Sequence, residues 1–252
     1  MLTRERQTAI LELLSADGRV LAGDLAERFG VSEDTARRDL RDLARAGHLQ
    51  RVHGGALPAA PAVAPLRERV EQNADAKQRL GIAAAALVSD GQTLFIDAGS
   101  TNLATARALP VGMRLTVITN APGVALALSD HPQVEVMLLG GRLDRESGGT
   151  RGVATVSEIG GIYADLYFLG SCAVDPVFGA SAVDGSEAEV KRAMAAQSRA
   201  VAVAATNDKL GTAAPFRVVP PANLTHLVVE RDADPAKLGR FSESGTIIHT
   251  AA

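Results

Sequence analysis

From Asp90-Gly91 onward the chain alternates short apolar runs with stretches of helical pattern, and this limits the fold more than any other feature. The apolar runs lie at 93–96, 115–118, 134–139, 166–169, 200–204, 226–229 and 246–249. Helical patterns separate them at about 102–109, 123–129, 153–159, 187–199 and 235–239. Strands joined through helices need crossover connections, so the expected product is a mainly parallel sheet covered on both faces. Ligands of such sheets sit at the carboxyl ends of the strands, near the point where strand order reverses.

The segment before this alternation follows a different rule. A 3.6-residue period over 3–15 places Ile10, Leu11, Leu13 and Leu14 on a helix that Asp17-Gly18 breaks. A second helix is expected over about 22–29, ended by Gly30, and a third from Ser32, a suitable N-cap, to about Ala46. On the third, Ala36, Leu40, Leu43 and Ala44 form an apolar stripe. Arg37, Arg38, Arg41 and Arg45 recur on one solvent face with Asp34. Residues 48–56, with Arg51, His53 and the Gly54-Gly55 pair, read as a short hairpin. The formal net charge is −3, so attraction to DNA must come from the placement of these arginines rather than from the total. Arginine forks suit phosphates and guanine edges, and a third helix followed by a hairpin is how winged helix-turn-helix modules present such a face.

A proline- and alanine-rich stretch without charge then follows, read as a semi-rigid linker at 58–65. It divides an N-terminal DNA-binding unit at 1–57 from an α/β unit at 66–252, whose first stretch, 66–89, reads as a single helix. Apolar residues at 46% and charged residues at 22% exclude wholesale disorder. One cysteine, Cys172, allows no internal disulfide, and charges in the first six residues stand where a secretory signal needs apolar ones. No apolar run is long enough to cross a bilayer. The expectation is a cytoplasmic protein with no membrane partner, no metal site and no cofactor.

Several strand ends carry small or polar residues. Asp97-Ala98-Gly99-Ser100-Thr101-Asn102 closes one strand and opens a helix, a layout that favours an anion. Thr119-Asn120, Gly140-Gly141 and Gly170-Ser171 close others, and Lys209 follows a fifth. Alone, each is equally a tight turn, a cap or a solvated lysine; together they suit a phosphate-bearing metabolite.

The string Val31-Ser32-Glu33-Asp34-Thr35-Ala36-Arg37-Arg38-Asp39-Leu40, followed by Arg51-Val52-His53-Gly54-Gly55-Ala56, resembles the DeoR family of bacterial regulators. So do 97–101, Thr119-Asn120, Gly140-Gly141, Gly152 and the helix with Glu187 and Lys191, so the resemblance spans nearly the whole chain. It implies that Ser32, Thr35, Arg37, Arg38, Arg41, Arg45, Arg51 and His53 form the DNA face. It also implies a sensor domain similar in fold to ribose-5-phosphate isomerase. There Gly99, Ser100, Thr101 and Asn102 would hold a phosphate, with Asp97, Asn120 and Lys209 towards the sugar and Thr119, Gly140 and Gly141 beside them. The expected protein is a homodimer or homotetramer on double-stranded operator DNA. It would repress carbohydrate genes under control of a phosphorylated sugar, with no catalytic residues. Two rival readings are an isomerase-like enzyme using Asp97, Asp175, Asp184, Glu187 or Lys209, and a second domain that only oligomerises.

Overall fold

The structure, a computed structural model, describes residues 2–252. The N-terminal unit contains α1 (Thr3–Asp17), β1 (Val20–Leu21), α2 (Ala22–Phe29), α3 (Glu33–Arg45), β2 (Leu49–Val52) and β3 (Gly55–Pro58). Gly18 and Gly30 adopt φ of 70° and 62°, the left-handed caps that stop α1 and α2. Ile10, Leu14, Leu25, Leu40 and Leu43 make a core confined to this unit. The hairpin β2–β3 is extended by β1, an element that two residues of sequence do not announce. Gly55 is what lets β1 approach: a Cβ there would lie 2.0 Å from the Val20 carbonyl oxygen.

The linker is tied to the body of the protein. Ala60 donates its N–H to the Ala213 carbonyl at 2.8 Å, and Ala213 donates to the Pro58 carbonyl at 3.0 Å. Beyond it the expected single helix is two, α4 (Leu66–Glu71) and α5 (Ala74–Ala85). The break falls at Asn73, which takes φ of 52°, a conformation asparagine tolerates better than most residues. The Lys77 ammonium compensates by donating to the freed carbonyls of Arg69 and Gln72.

The α/β unit continues through β4 (Thr93–Ile96), α6 (Ser100–Arg107), β5 (Leu115–Thr119), α7 (Pro122–Ala127) and β6 (Val134–Leu138). A small hairpin of β7 (Arg142–Leu143) and β8 (Thr150–Arg151) leads to α8 (Val153–Ile159) and β9 (Ala164–Phe168). Then come β10 (Ala173–Asp175), β11 (Gly179–Ala182), α9 (Gly185–Ala196) and β12 (Ser198–Ala205). The chain ends with β13 (Phe216–Val219), β14 (His226–Val229), α10 (Pro235–Glu243) and β15 (Ile247–Thr250).

Seven strands form one sheet in the order β15-β14-β12-β9-β4-β5-β6, every pairing parallel. Leu94 and Ile96 feed the core beneath α5, α6 and α7, while Phe95 between them feeds the core beneath α8, α9 and α10. From β4 the chain builds outward to β6, and from β9 it builds the other way to β15. The reversal therefore falls between β4 and β9. An antiparallel sheet, β10-β11-β13, lies apart from the large one and was not legible in the sequence. Among the described residues no helix is long and apolar enough to cross a membrane.

Candidate functional site

The face expected to meet DNA is built on α3. Ser32 caps it, its Oγ accepting from the Thr35 N–H at 3.2 Å and lying 2.9 Å from the Thr35 hydroxyl. Ala36, Leu40 and Leu43 are buried against α1 and α2, which leaves Arg37, Arg38, Arg41 and Arg45 exposed. Arg37 pairs with Glu33 at 2.7 Å and Arg45 with Asp42 at 3.6 Å. Arg38, Arg41 and Arg51 have no ion pair among the described residues. Arg51 and His53 are exposed on the hairpin, where Gly54 turns the chain with φ of 80°. Asp39, inside the arginine run, faces the other way and forms a buried pair with Arg6 of α1. That pair pins α3 to α1.

At the β4/β9 reversal lies a narrow cleft. Gly99, Ser100, Thr101 and Asn102, at the first turn of α6, line it together with Lys209. Thr101 Oγ1 is buried without a hydrogen-bond partner, and the Lys209 ammonium donates to the Ser171 carbonyl at 3.0 Å. Burial lowers the Lys209 ammonium below its ordinary range, with Arg69 and Lys191 acting in the same direction. Arg69, from α4, enters the same cleft. An unsatisfied hydroxyl, a helix N-terminus and two cations converging on one space give the cleft the chemistry an anion needs. The space is about 20 Å³, enough for a single water, so a larger guest must displace part of the wall.

The other residues expected at the ligand lie outside this cleft. Asp97 is buried beneath it, accepting from Lys191 at 2.8 Å, Asn102 at 2.7 Å, the Gly170 amide at 2.8 Å and the Tyr167 hydroxyl. Asn102 and Gly170 engage one of its oxygens and Tyr167 and Lys191 the other, so it braces the cleft from below. Thr119 Oγ1 donates to the Ile96 carbonyl and accepts from the Ala121 N–H, tying β5 to β4. Asn120 donates to the Thr150 carbonyl at 2.8 Å, while its Oδ1 is buried without a partner. Gly140 accepts from Thr155 at 2.6 Å, and Gly141, at φ of 138°, packs where a Cβ would lie 2.2 Å from Thr155 Oγ1. The two glycines thus serve the seating of α8 on the β7–β8 hairpin.

Residues 6–60 match the DeoR-like helix-turn-helix domain, and residues 72–231 match the DeoR C terminal sensor domain. The HTH-type transcriptional regulator GolR of Listeria innocua is 30% identical over 249 residues, 98% of each chain. The chain belongs to the DeoR family. The glycerol-3-phosphate regulon repressor of Escherichia coli is 35% identical over 208 residues, 82% of each chain. Among solved structures, ribose 5-phosphate isomerase A from Neisseria gonorrhoeae aligns with a TM-score of 0.40 and 17% identity, over 54% of this chain and 52% of that one. As a DeoR-family member the protein is a DNA-binding transcriptional regulator and not an enzyme.

Residue spacing alone did not reveal the charge network under this cleft. Lys191 of α9 is buried between Asp97 and Glu187, at 2.8 and 3.1 Å. Burial alone would lower its ammonium, but the two carboxylates outweigh it and raise it. Tyr167 completes the network from β9, and burial with Asp97 beside it pushes its phenol up. Cys172 also borders the cleft, its thiol pushed up by burial and by Glu187. Arg69 was absent from the sequence-derived set because a single arginine in a charged helical run looks like a solvated one.

Proposed function

We propose that this regulator takes a phosphorylated sugar in the cleft at Gly99–Asn102 and that occupancy releases it from operator DNA. In this reading residues 1–57 bind DNA, 58–65 connect, and 66–252 sense and oligomerise. The observation that carries the sensing part is the unpartnered Thr101 hydroxyl at the N-terminus of α6, with Lys209 and Arg69 beside it. A phosphate monoester supplies both the acceptor and the negative charge those groups lack. The relatives named as repressors, among them the glycerol-3-phosphate regulon repressor and the transcriptional repressor GlcR of Bacillus subtilis, support repression of genes for carbohydrate use. Two copies related by a two-fold axis would meet two half-sites of an operator, which is the reason for proposing a homodimer or a homotetramer built from dimers. A DNA-binding regulator acts in the cytoplasm.

The test is a thermal-shift screen against phosphorylated sugars with the matching free sugars as controls. A ligand that binds only the folded state adds about 2.7 kcal/mol at a hundredfold excess over its Kd. The reading holds if one sugar phosphate stabilises the protein, its free sugar does not, and the same compound dissociates the protein from DNA. No shift across the panel removes it.

A further inference from the structure

The segment leading out of the DNA-binding unit supplies part of the sensor cleft. Helix α4 follows the linker directly, and its Arg69 side chain stands across from Gly99–Thr101. One guanidinium nitrogen donates to the carbonyls of Glu146 and Ser147, at 3.2 and 3.4 Å. The Nε nitrogen is buried and has no partner. Only neutral carbonyls therefore engage this fork, in a place where an Arg ordinarily finds a carboxylate or phosphate. Lys77 and Lys209 lie close enough for Arg69 to lower both ammonium groups. Arg69 and Lys209 border this small space and Lys77 lies behind them, so their charges repel one another, and an anion in the cleft would relieve that repulsion.

The seating of α4 is equally specific. Leu66 donates its N–H to the Glu146 carbonyl at 2.9 Å, and its side chain fills the place a Cβ on Gly148 would take, 2.1 Å from Leu66 Cδ2. Gly148 itself holds φ of 78°. The helix is thus docked on the 144–149 turn by one backbone bond, one leucine and the Arg69 fork, while Lys77 holds its last carbonyls.

We propose that Arg69 is a ligand-contacting residue, its fork grasping two oxygens of an anion whose remaining oxygens rest on the first turn of α6. This rests on the phosphate reading of the cleft given above. It adds that the site is complete only with α4 in place, and that Arg69 trades the Glu146 and Ser147 carbonyls for the anion. The 20 Å³ cleft opens by that exchange, and α4 moves with it. Because α4 begins where the linker ends, the binding step displaces the connection to the DNA-binding unit.

The experiment titrates inorganic phosphate, then ribose 5-phosphate, into the full chain by calorimetry, and follows amide hydrogen exchange over residues 59–72. Wild type, R69A, R69K and T101V are compared, with urea midpoints to confirm that each variant is folded. R69A is expected to bind at least about tenfold more weakly, the cost of a charged bidentate contact. R69K recovers only part of this, because a lysine cannot reproduce the fork. Phosphate should change exchange at 66–71 in the wild type and not in R69A. If T101V loses binding while R69A binds as the wild type does, the Arg69 proposal is overturned and the phosphate reading stands. If the wild type binds neither compound, the phosphate reading falls and takes this proposal with it.

Discussion

Replacing Lys191 with methionine removes one ammonium from a site where two carboxylates converge, Asp97 shut off from water and Glu187 half-open to the cleft. Lys191 is 2.8 Å from Asp97 and 3.1 Å from Glu187, and side-chain exposure is 2% for Lys191 and 1% for Asp97. Breaking a buried ion pair from one side costs about 3–5 kcal/mol, because the surviving charge has lost its compensation. Asp97 keeps Tyr167, Asn102 and the Gly170 amide as donors, so the lower end, about 3 kcal/mol, is expected near pH 7.5. For a chain of this size that lowers the melting temperature by roughly 6–12 °C in differential scanning calorimetry. The pH dependence follows from the carboxyl. Burial already pushes Asp97 above its ordinary value against the pull of Lys191, so losing Lys191 raises it further. The folded variant then holds a proton that the unfolded chain has released. Its stability falls as pH rises above the ordinary carboxylate range, more steeply than that of the wild type. The double variant D97N/K191M has no buried charge left at this position and regains most of the loss. A K191M protein within about 1 kcal/mol of wild type at pH 7.5, or a double variant no better than the single, would refute this account.

T101V is expected to fold with unchanged or slightly higher stability, since the hydroxyl it removes is buried and unpartnered, yet to lose the phosphate-dependent thermal shift. Arg38 and Arg41 are exposed on the α3 face, and each alanine variant should weaken duplex DNA binding in fluorescence anisotropy. Each should also flatten the salt dependence by about 0.9 for every DNA phosphate that is no longer neutralised; an unchanged slope places that arginine off the backbone. The Lys77 ammonium is pulled down to about 8, first by burial and then by Lys209 and Arg69. The folded chain therefore releases this proton before the unfolded chain does, and its contribution to stability grows as pH rises from about 8 towards 10.5. Urea melts across that range should show the rise in the wild type and its loss in K77M.

The helices of the N-terminal unit and all seven strands of the large sheet were legible because each carries its own local signal. Ser32 caps, Gly30 stops, and the arginines repeat at the helical period; Leu94, Phe95 and Ile96 make an apolar run between a glycine turn and a polar helix start. Features set by distant partners were not legible. Arg6 and Asp39 are both charged residues in helices, and only the fold puts them together in the interior. Asp97 and Lys191 are 94 positions apart, and an aspartate at a strand end equally suits a ligand. The interruption at Asn73 went unseen because residues 66–89 hold the helical period on both sides, and the group that stabilises the break, Lys77, lies in the next helix. Thr119, Gly140 and Gly141 were drawn towards the cleft by their place at strand ends, whereas neighbouring backbone and Thr155 occupy them.

The bond between Ala60 and Ala213 bears on which operators the protein can use. Residues 59–65 as a free flexible tether would let a DNA-binding unit wander about 15 Å, enough to follow a half-site that had shifted or turned. Fastened at Ala60, and continuing into a docked α4, the tether has no such play. Two copies on one operator would therefore present their reading helices at a fixed separation and a fixed angular phase. Inserting a single base pair between half-sites rotates one of them by roughly 35° about the DNA axis, and a rigid pair of readers cannot follow that rotation. For such a pair, spacing between half-sites would be as strong a criterion of recognition as the bases within them.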